Sequence, residues 1–247
     1  MSATHAALLL LAGIAAGLVG SVSGLASVIS YPALLAIGLP PVTANVTNTI
    51  ALVFSGIGST MSSQPELRGQ LGRLKVLSSI AVAGGITGGV LLLVTPASTF
   101  ERVVPWLIGI ASLCVLIPRP KAHPELGDRD RGWVMLGVLL ISCYAGYFGA
   151  AAGVLLLALL LATTAETLAQ SNAVKNAVLF CANGVAALYF AFFGDVRWLA
   201  AAPLGLGFLI GGLLGPPVVR RLPAGPLRLV IATAGVAIAI RLALQVY

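Results

Sequence analysis

Twice in this chain of 247 residues, thirty-three positions pass without a charge, at 6–38 and again at 132–164. A water-soluble domain has nowhere to bury such runs, and shorter apolar runs, charge-free but for Lys175, Arg228 and Arg241, fill most of the remaining sequence, at 42–62, 76–94, 103–117, 168–193, 198–219 and 226–247. About 20 apolar residues suffice to cross a hydrocarbon core ~30 Å thick. Charged residues are only 9% of the chain, against ~25% in soluble domains. The sequence therefore predicts an all-α, multi-pass helical membrane protein. The net charge of +7 does not point to nucleic acid, because the basic residues sit in short gaps between apolar runs, where they report orientation in the bilayer. Cys114, Cys143 and Cys181 lie inside apolar runs without metal-ligand spacing and read as packing residues. The first run lacks the basic flank and cleavage site of a signal peptide, so it is expected to remain in the mature protein.

The two long runs are too long for one crossing, since an unbroken helix of that length would reach about 50 Å. Each carries an interruption of glycine and small residues: Gly20-Ser21-Val22-Ser23-Gly24 in the first, and Gly146-Tyr147-Phe148-Gly149-Ala150-Ala151-Ala152-Gly153 in the second. Glycine disfavours helix and permits a sharp reversal, which makes Gly20, Gly24, Gly146, Gly149 and Gly153 candidate hinge or break positions. Each long run is expected to form two half-helices, as a re-entrant hairpin or a broken span.

The same two runs open matching halves. Asn45 and Asn172 are 127 positions apart, and so are the motifs Gly84-Gly85-Ile86-Thr87-Gly88 and Gly211-Gly212-Leu213-Leu214-Gly215. The expected organisation is an N-terminal membrane repeat at 1–117, a hydrophilic linker at 118–131 and a C-terminal repeat at 132–247, each repeat holding four hydrophobic segments. The distribution of lysine and arginine in the gaps places the linker in the cytoplasm, with the protein in the plasma (inner) membrane. If the first segment of each repeat is re-entrant, each repeat makes an odd number of crossings and the halves are inverted, a common transporter plan.

Lys175 is the one ionisable residue well inside a predicted span, where a lysine costs roughly 2.5–3.5 kcal/mol on insertion scales. Asn172 and Asn176 share its helical face, with Ser171 beside them. At the matching place in the first half stand Asn45, Asn48 and Thr49. Asn48 and Lys175 each lie about 10 Å along their helices, so inverted repeats bring them toward one level near the midplane. Half-helix N-termini at the breaks present free N–H groups and a positive dipole end. One cation, several amide and hydroxyl donors and no intramembrane carboxylate make an anion site, to which Ser23 and Ser21 of the first break are further candidates. The blander alternative has Lys175 snorkelling to the surface and the asparagines serving as interhelical glue. The two glycine motifs and Tyr31, Tyr144 and Tyr147 read as packing. An intramembrane enzyme is disfavoured, since no HExxH pair and no second intramembrane acid occur. No cofactor or metal is called for.

The order of these motifs resembles a known family. The first break, then Tyr31-Pro32-Ala33-Leu34-Leu35, Gly38-Leu39-Pro40 and Ala44-Asn45-Val46-Thr47-Asn48-Thr49, is similar to the repeat of the sulfite exporter TauE/SafE family. So are Gln170-Ser171-Asn172-Ala173-Val174-Lys175-Asn176 and Gly211-Gly212 with Gly215, followed by Arg220-Arg221-Leu222. The chain departs from the pattern in Leu25, Ala26, Ala150, Ala151 and Ala152, where glycine is denser, and in Asn48, where serine is more frequent. The resemblance implies a secondary transporter of sulfite or organosulfonates, working outward by alternating access. A small oxyanion would then accept hydrogen bonds from Lys175, Asn45, Asn48, Asn172, Asn176 and the half-helix N–H groups. A bound anion and a protonated lysine favour each other, which is a route to proton coupling. An anion channel and a non-transporting scaffold for sulfur metabolism are the alternatives, and a homo-oligomer is left open.

Overall fold

The computed structural model describes residues 2–114 and 128–219, together with 233, 236, 240, 243 and 244. Most of the linker at 118–131, most of the eighth segment, the Arg220-Arg221-Leu222 motif and the side chain of Cys114 lie outside the described residues. Among the described residues every regular element is an α-helix: α1 (Ala3–Ser23), α2 (Ala26–Ala36), α3 (Pro41–Ser62), α4 (Gln64–Leu67), α5 (Leu71–Val94), α6 (Ala97–Cys114), α7 (Asp128–Tyr147), α8 (Ala152–Thr163), α9 (Leu168–Phe193) and α10 (Trp198–Val219). Helices α1, α5, α9 and α10 are each long and apolar enough to cross a membrane. Helix α3 has the length, 22 residues, but its Asn45, Thr47, Asn48, Thr49, Ser55 and Ser59 are all buried. It is an interior helix, and its polar groups face protein. The outer surface is the reverse, with Leu11, Ile110, Leu140, Phe192 and Leu199 exposed. Polar inside and apolar outside is the pattern of a chain solvated by lipid. Exposed Trp133 and Trp198, near the starts of α7 and α10, suit the interfacial aromatic belts.

The 127-residue spacing extends to the helices themselves. It separates the starts of α3 and α9, the starts of α5 and α10, and the ends of α2 and α8. The packing repeats with it. Helix α1 lies on α10 as α7 lies on α5, α3 lies on α10 as α9 lies on α5, and α3 and α9 lie on each other. The first helix of each half is thus packed on the other half, so the two halves interlock.

Glycine contacts fix the directions. Gly13 faces Gly207, Gly17 faces Gly211 and Gly215 faces Ser21, so α1 and α10 run parallel. Gly205 faces Phe54 and Gly58 faces Leu209 and Leu213, so α3 also runs with α10. Because α1 and α3 run the same way, α2 between them must run back, and α1–α2 is a hairpin that enters and leaves at one end. Helices α3 and α9 run oppositely. Thr43, in the first turn of α3, donates to Asp195 Oδ2 just beyond α9 (2.9 Å), and the Arg197 amide donates to Thr47 (3.1 Å). Equivalent helices that run antiparallel are what inverted repeats require.

The hairpins differ from the expected pairs of half-helices. Helix α1 spans 21 residues, about 31 Å, whereas α2 spans 11, about 16 Å. Helices α7 and α8, of 20 and 12 residues, are similarly uneven. Only Gly24 (φ 85°) and Gly149 (φ 73°) among the candidate break glycines take left-handed backbone. Gly20, Gly146 and Gly153 lie within helices instead, and each is small because something packs on it: Ala26, the backbone of Gly85 and the backbone of Gly24, respectively. The motifs at 84–88 and 211–215 also serve close packing. A Cβ on Gly84 would lie 2.6 Å from Leu139 O, and one on Gly212 would lie 2.6 Å from Ser55 O.

Ala151, the residue before α8, holds left-handed backbone at φ 59°. That conformation costs an L-residue roughly 1–2 kcal/mol, and glycine's larger unfolded-state entropy takes back about 0.4–1 kcal/mol. The methyl is buried in the core, and its loss costs about 0.8 kcal/mol more. Ala151→Gly is therefore expected to leave the melting temperature of the purified protein nearly unchanged, whereas a bulkier Ala151→Val should lower it.

Candidate anion site

At the end of α1 Gly20 O accepts the Gly24 amide (2.7 Å), but the carbonyls after it have no partner within their own helix and end inside the protein, where water is scarce. Helix α9 supplies the missing donors. Asn172 Nδ2 donates to Ser21 O (2.9 Å) and Asn176 Nδ2 to the same oxygen (3.3 Å). Lys175 Nζ donates to Gly20 O (3.3 Å), Ser21 O (3.2 Å) and Asn172 Oδ1 (2.8 Å). The lysine is 0% exposed, so it does not snorkel. It lies at the negative end of the α1 dipole, a placement that contributes up to ~2 kcal/mol in favourable geometries and offsets much of its insertion cost.

Helix α3 does the mirror-image work at α7, with weaker chemistry. Asn45 Nδ2 donates to Tyr147 O, the last carbonyl of α7 (2.8 Å). Asn48, the counterpart of Lys175, turns to α2 and donates to Ser27 Oγ (3.1 Å). Thr49 donates back to Asn45 O within its own helix (3.0 Å). Aromatic packing braces the second break, with Tyr31 edge-on to Phe148 at a centroid distance of 5.3 Å and Tyr144 OH donating to Ala150 O (2.7 Å).

Beside Lys175 lies a cavity of about 60 Å³. Its polar lining is Ser21, Ser27, Ser55, Ser59, Lys175, Asn176 and Asn183. Among the described residues no carboxylate lines it. Both breaks reach its wall through Gly24 and Gly153, and they touch: a Cβ on Gly24 would come within 2.5 Å of Gly153 Cα. Helices α2 and α8 start at these breaks, so two helix N-termini, each the positive end of a dipole, converge on the cavity.

The structure sorts the residues expected from sequence. Lys175 and Asn176 line the cavity, Asn172 holds Lys175, and Asn48 reaches the wall through Ser27. Gly20, Gly24, Gly149 and Gly153 also line it, and Gly146 does not. Asn45 and Thr49 brace helices outside it. Ser23 is spent on Val19 O of its own helix (2.7 Å), and Ser171 is buried away from the cavity with its hydroxyl unpartnered. Ser27, Ser55, Ser59 and Asn183 were not singled out from sequence. Extending the Asn172 and Asn176 face of α9 by two more turns leads to Leu179, Phe180 and Asn183, all in the wall. The counterparts of Leu179 and Asn183 in the first half are Leu52 and Gly56, also in the wall, so helical period and internal symmetry together carried the signal.

Asn183 Oδ1 is buried without a donor, so truncating the side chain leaves no partner stranded. If the cavity takes an anion, Asn183→Ala is expected to weaken its binding roughly tenfold, the equivalent of about 1.4 kcal/mol or one hydrogen bond, with an unchanged melting temperature.

A model of the sulfite exporter TauE/SafE family matches residues 9–242, nearly the whole chain. The chain belongs to that family. Three relatives are similar to it along most of their length. A probable membrane transporter protein ORF9 from a Sinorhizobium species is 25% identical over 96% of this chain and 91% of the relative. The probable membrane transporter protein YfcA of Escherichia coli K12 is 25% identical over 83% and 77%. A probable membrane transporter protein of Haemophilus influenzae is 23% identical over 86% and 84%. No solved structure matches the chain. Membership makes the chain a multi-pass membrane protein of a transporter family and sets it among transporters, not enzymes.

Proposed function

We propose that this protein carries a small sulfur oxyanion, sulfite or an organosulfonate, outward across the plasma membrane by alternating access around the cavity beside Lys175. The observation that carries the reading is a fully buried ammonium in the wall of a small cavity whose other polar groups are hydroxyls, amides and two helix N-termini. The ammonium, the hydroxyls, the amide N–H groups and the two N-termini can donate to an oxyanion, while the carbonyl end of α1, also in the wall, is capped by Lys175, Asn172 and Asn176. The volume of the cavity suits an ion of a few heavy atoms.

Lys175 already donates to the end of α1. When an anion enters, the ammonium exchanges a carbonyl of Gly20 or Ser21 for an oxyanion oxygen, and Asn176, Asn183 and the serines complete the shell. The end of α1 then loses part of its cap, so the α1–α2 hairpin is held less firmly with the anion bound than without it. A ligand moves a conformational equilibrium only by such differential contacts. Rocking of one interlocked half against the other, about the touching breaks, then exposes the cavity to each side in turn. In this orientation the linker at 118–131 is cytoplasmic, and protons are the proposed coupling ion.

Flux of labelled sulfite in proteoliposomes tests the reading. Saturable flux that responds to an imposed pH gradient is the expected result. Flux linear in concentration would replace the carrier by a channel, and no flux of sulfite or any sulfonate would leave a membrane scaffold.

A further inference from the structure

The two halves differ in one charge at one equivalent place. In the second half, Ser21 O at the end of α1 collects hydrogen bonds from Asn172, Lys175 and Asn176, and a positive charge meets the negative end of that helix. In the first half, Tyr147 O at the end of α7 takes its side-chain hydrogen bond from Asn45, and position 48 offers a neutral amide where its counterpart is a lysine. The difference leaves acceptors over. Asn45 Oδ1 and Asn48 Oδ1 are both buried without a donor, on residues that are 0% exposed. Leaving a buried amide oxygen unpaired costs about 1–3 kcal/mol, and here two sit one helical turn apart, the first on the residue that caps the negative end of α7 and the second on a residue that turns toward Ser27 of α2.

We infer that this place binds a monovalent alkali cation, sodium in particular, held by Asn45 Oδ1, Asn48 Oδ1 and the carbonyl end of α7. The ion does for the first half what the Lys175 ammonium does for the second. The donor set fixes the class. All the oxygens are neutral amide and carbonyl groups, without the carboxylates that calcium and magnesium take. A single unit charge matches the one that the internal symmetry omits. Asp195, which packs on the first turn of α3, is engaged by Thr43 at 2.9 Å, with Arg197 4.0 Å away. Helix C-termini at a break are a recognised way to hold sodium in transporters. The site is separate from the anion cavity, whose wall includes neither Asn45 nor Asn48, and it stands whether or not the anion reading does.

Binding of ²²Na⁺ to the purified full-length protein in detergent, with gluconate as the sole anion, tests it. Wild type is expected to bind saturably, near one ion per chain, with displacement by unlabelled sodium and none by choline. Asn48→Lys places a tethered ammonium in the site and is expected to abolish that binding at an unchanged gel-filtration volume. A measurement on wild type alone guards against a misfolded variant: the melting temperature should rise in sodium chloride relative to choline chloride at equal ionic strength. Absence of saturable binding, undiminished binding by folded Asn48→Lys, or equal melting temperatures in the two salts would overturn the site. None of these outcomes depends on sulfite flux.

Discussion

Proteoliposomes carrying Lys175→Met are expected to move the substrate anion at no more than one-tenth to one-hundredth of the wild-type kcat/KM. A charge-assisted hydrogen bond is worth roughly 1.5–3 kcal/mol, and each 1.4 kcal/mol is tenfold in affinity. The substitution also strips donors from Gly20 O, Ser21 O and Asn172 Oδ1. Gly20 O keeps the Gly24 amide and Ser21 O keeps Asn172 and Asn176, so Asn172 Oδ1 is the acceptor left buried without a donor. That loss is expected to lower stability by about 1–3 kcal/mol, measurable as a fall in melting temperature. Lys175→Arg separates the two effects. Guanidinium keeps the charge and can still donate to the end of α1, but its planar head intrudes on a cavity of about 60 Å³. Its stability should stay near wild type while its flux falls. A Lys175→Met protein with full flux would remove the ammonium from the transport mechanism.

The second large effect is expected at the meeting of the two breaks. Gly24→Val should prevent recovery of monodisperse protein. A side chain there faces a left-handed backbone at φ 85°, at a cost of roughly 1–2 kcal/mol, and the backbone of Gly153, where overpacking adds about 1–3 kcal/mol. Two milder variants divide these terms. Gly38 has φ 91° with nothing within 4 Å of a new Cβ, so Gly38→Ala should cost only the backbone term. Gly153 is helical and meets Gly24, so Gly153→Ala should cost only the packing term. Melting temperatures should fall in the order Gly38→Ala or Gly153→Ala first, and Gly24→Ala furthest. Equal losses at Gly24 and Gly38 would show that the breaks do not touch.

The sequence already held the parts of this architecture that depend on composition and period. Apolar runs marked the membrane segments, and the 127-residue spacing of Asn45 with Asn172 recurs in the helix starts at Pro41 and Leu168. The cost of burying one lysine in a span pointed to Lys175 before any contact was seen. The lengths of the hairpin arms were not legible. Glycine content marks where a helix can turn but does not separate a glycine needed for its backbone, such as Gly24, from one needed for its size, such as Gly153. The partners of Lys175 were also hidden, because the end of α1 lies more than 150 positions away and its carbonyls belong to no side-chain pattern. Asn183 was missed because the polar face of α9 passes through Leu179 and Phe180 before it returns, and an apolar turn reads as core.

The account rests on an anion binding beside the buried ammonium, and equilibrium binding to the purified wild-type protein tests that most directly. Titration calorimetry with sulfite, sulfate, thiosulfate and short sulfonates is expected to give saturable binding of sulfite or a sulfonate, lost in Lys175→Met and weakened about tenfold in Asn183→Ala. Binding of the same strength in wild type and in a folded Lys175→Met protein, or no binding of any of these anions, would contradict it.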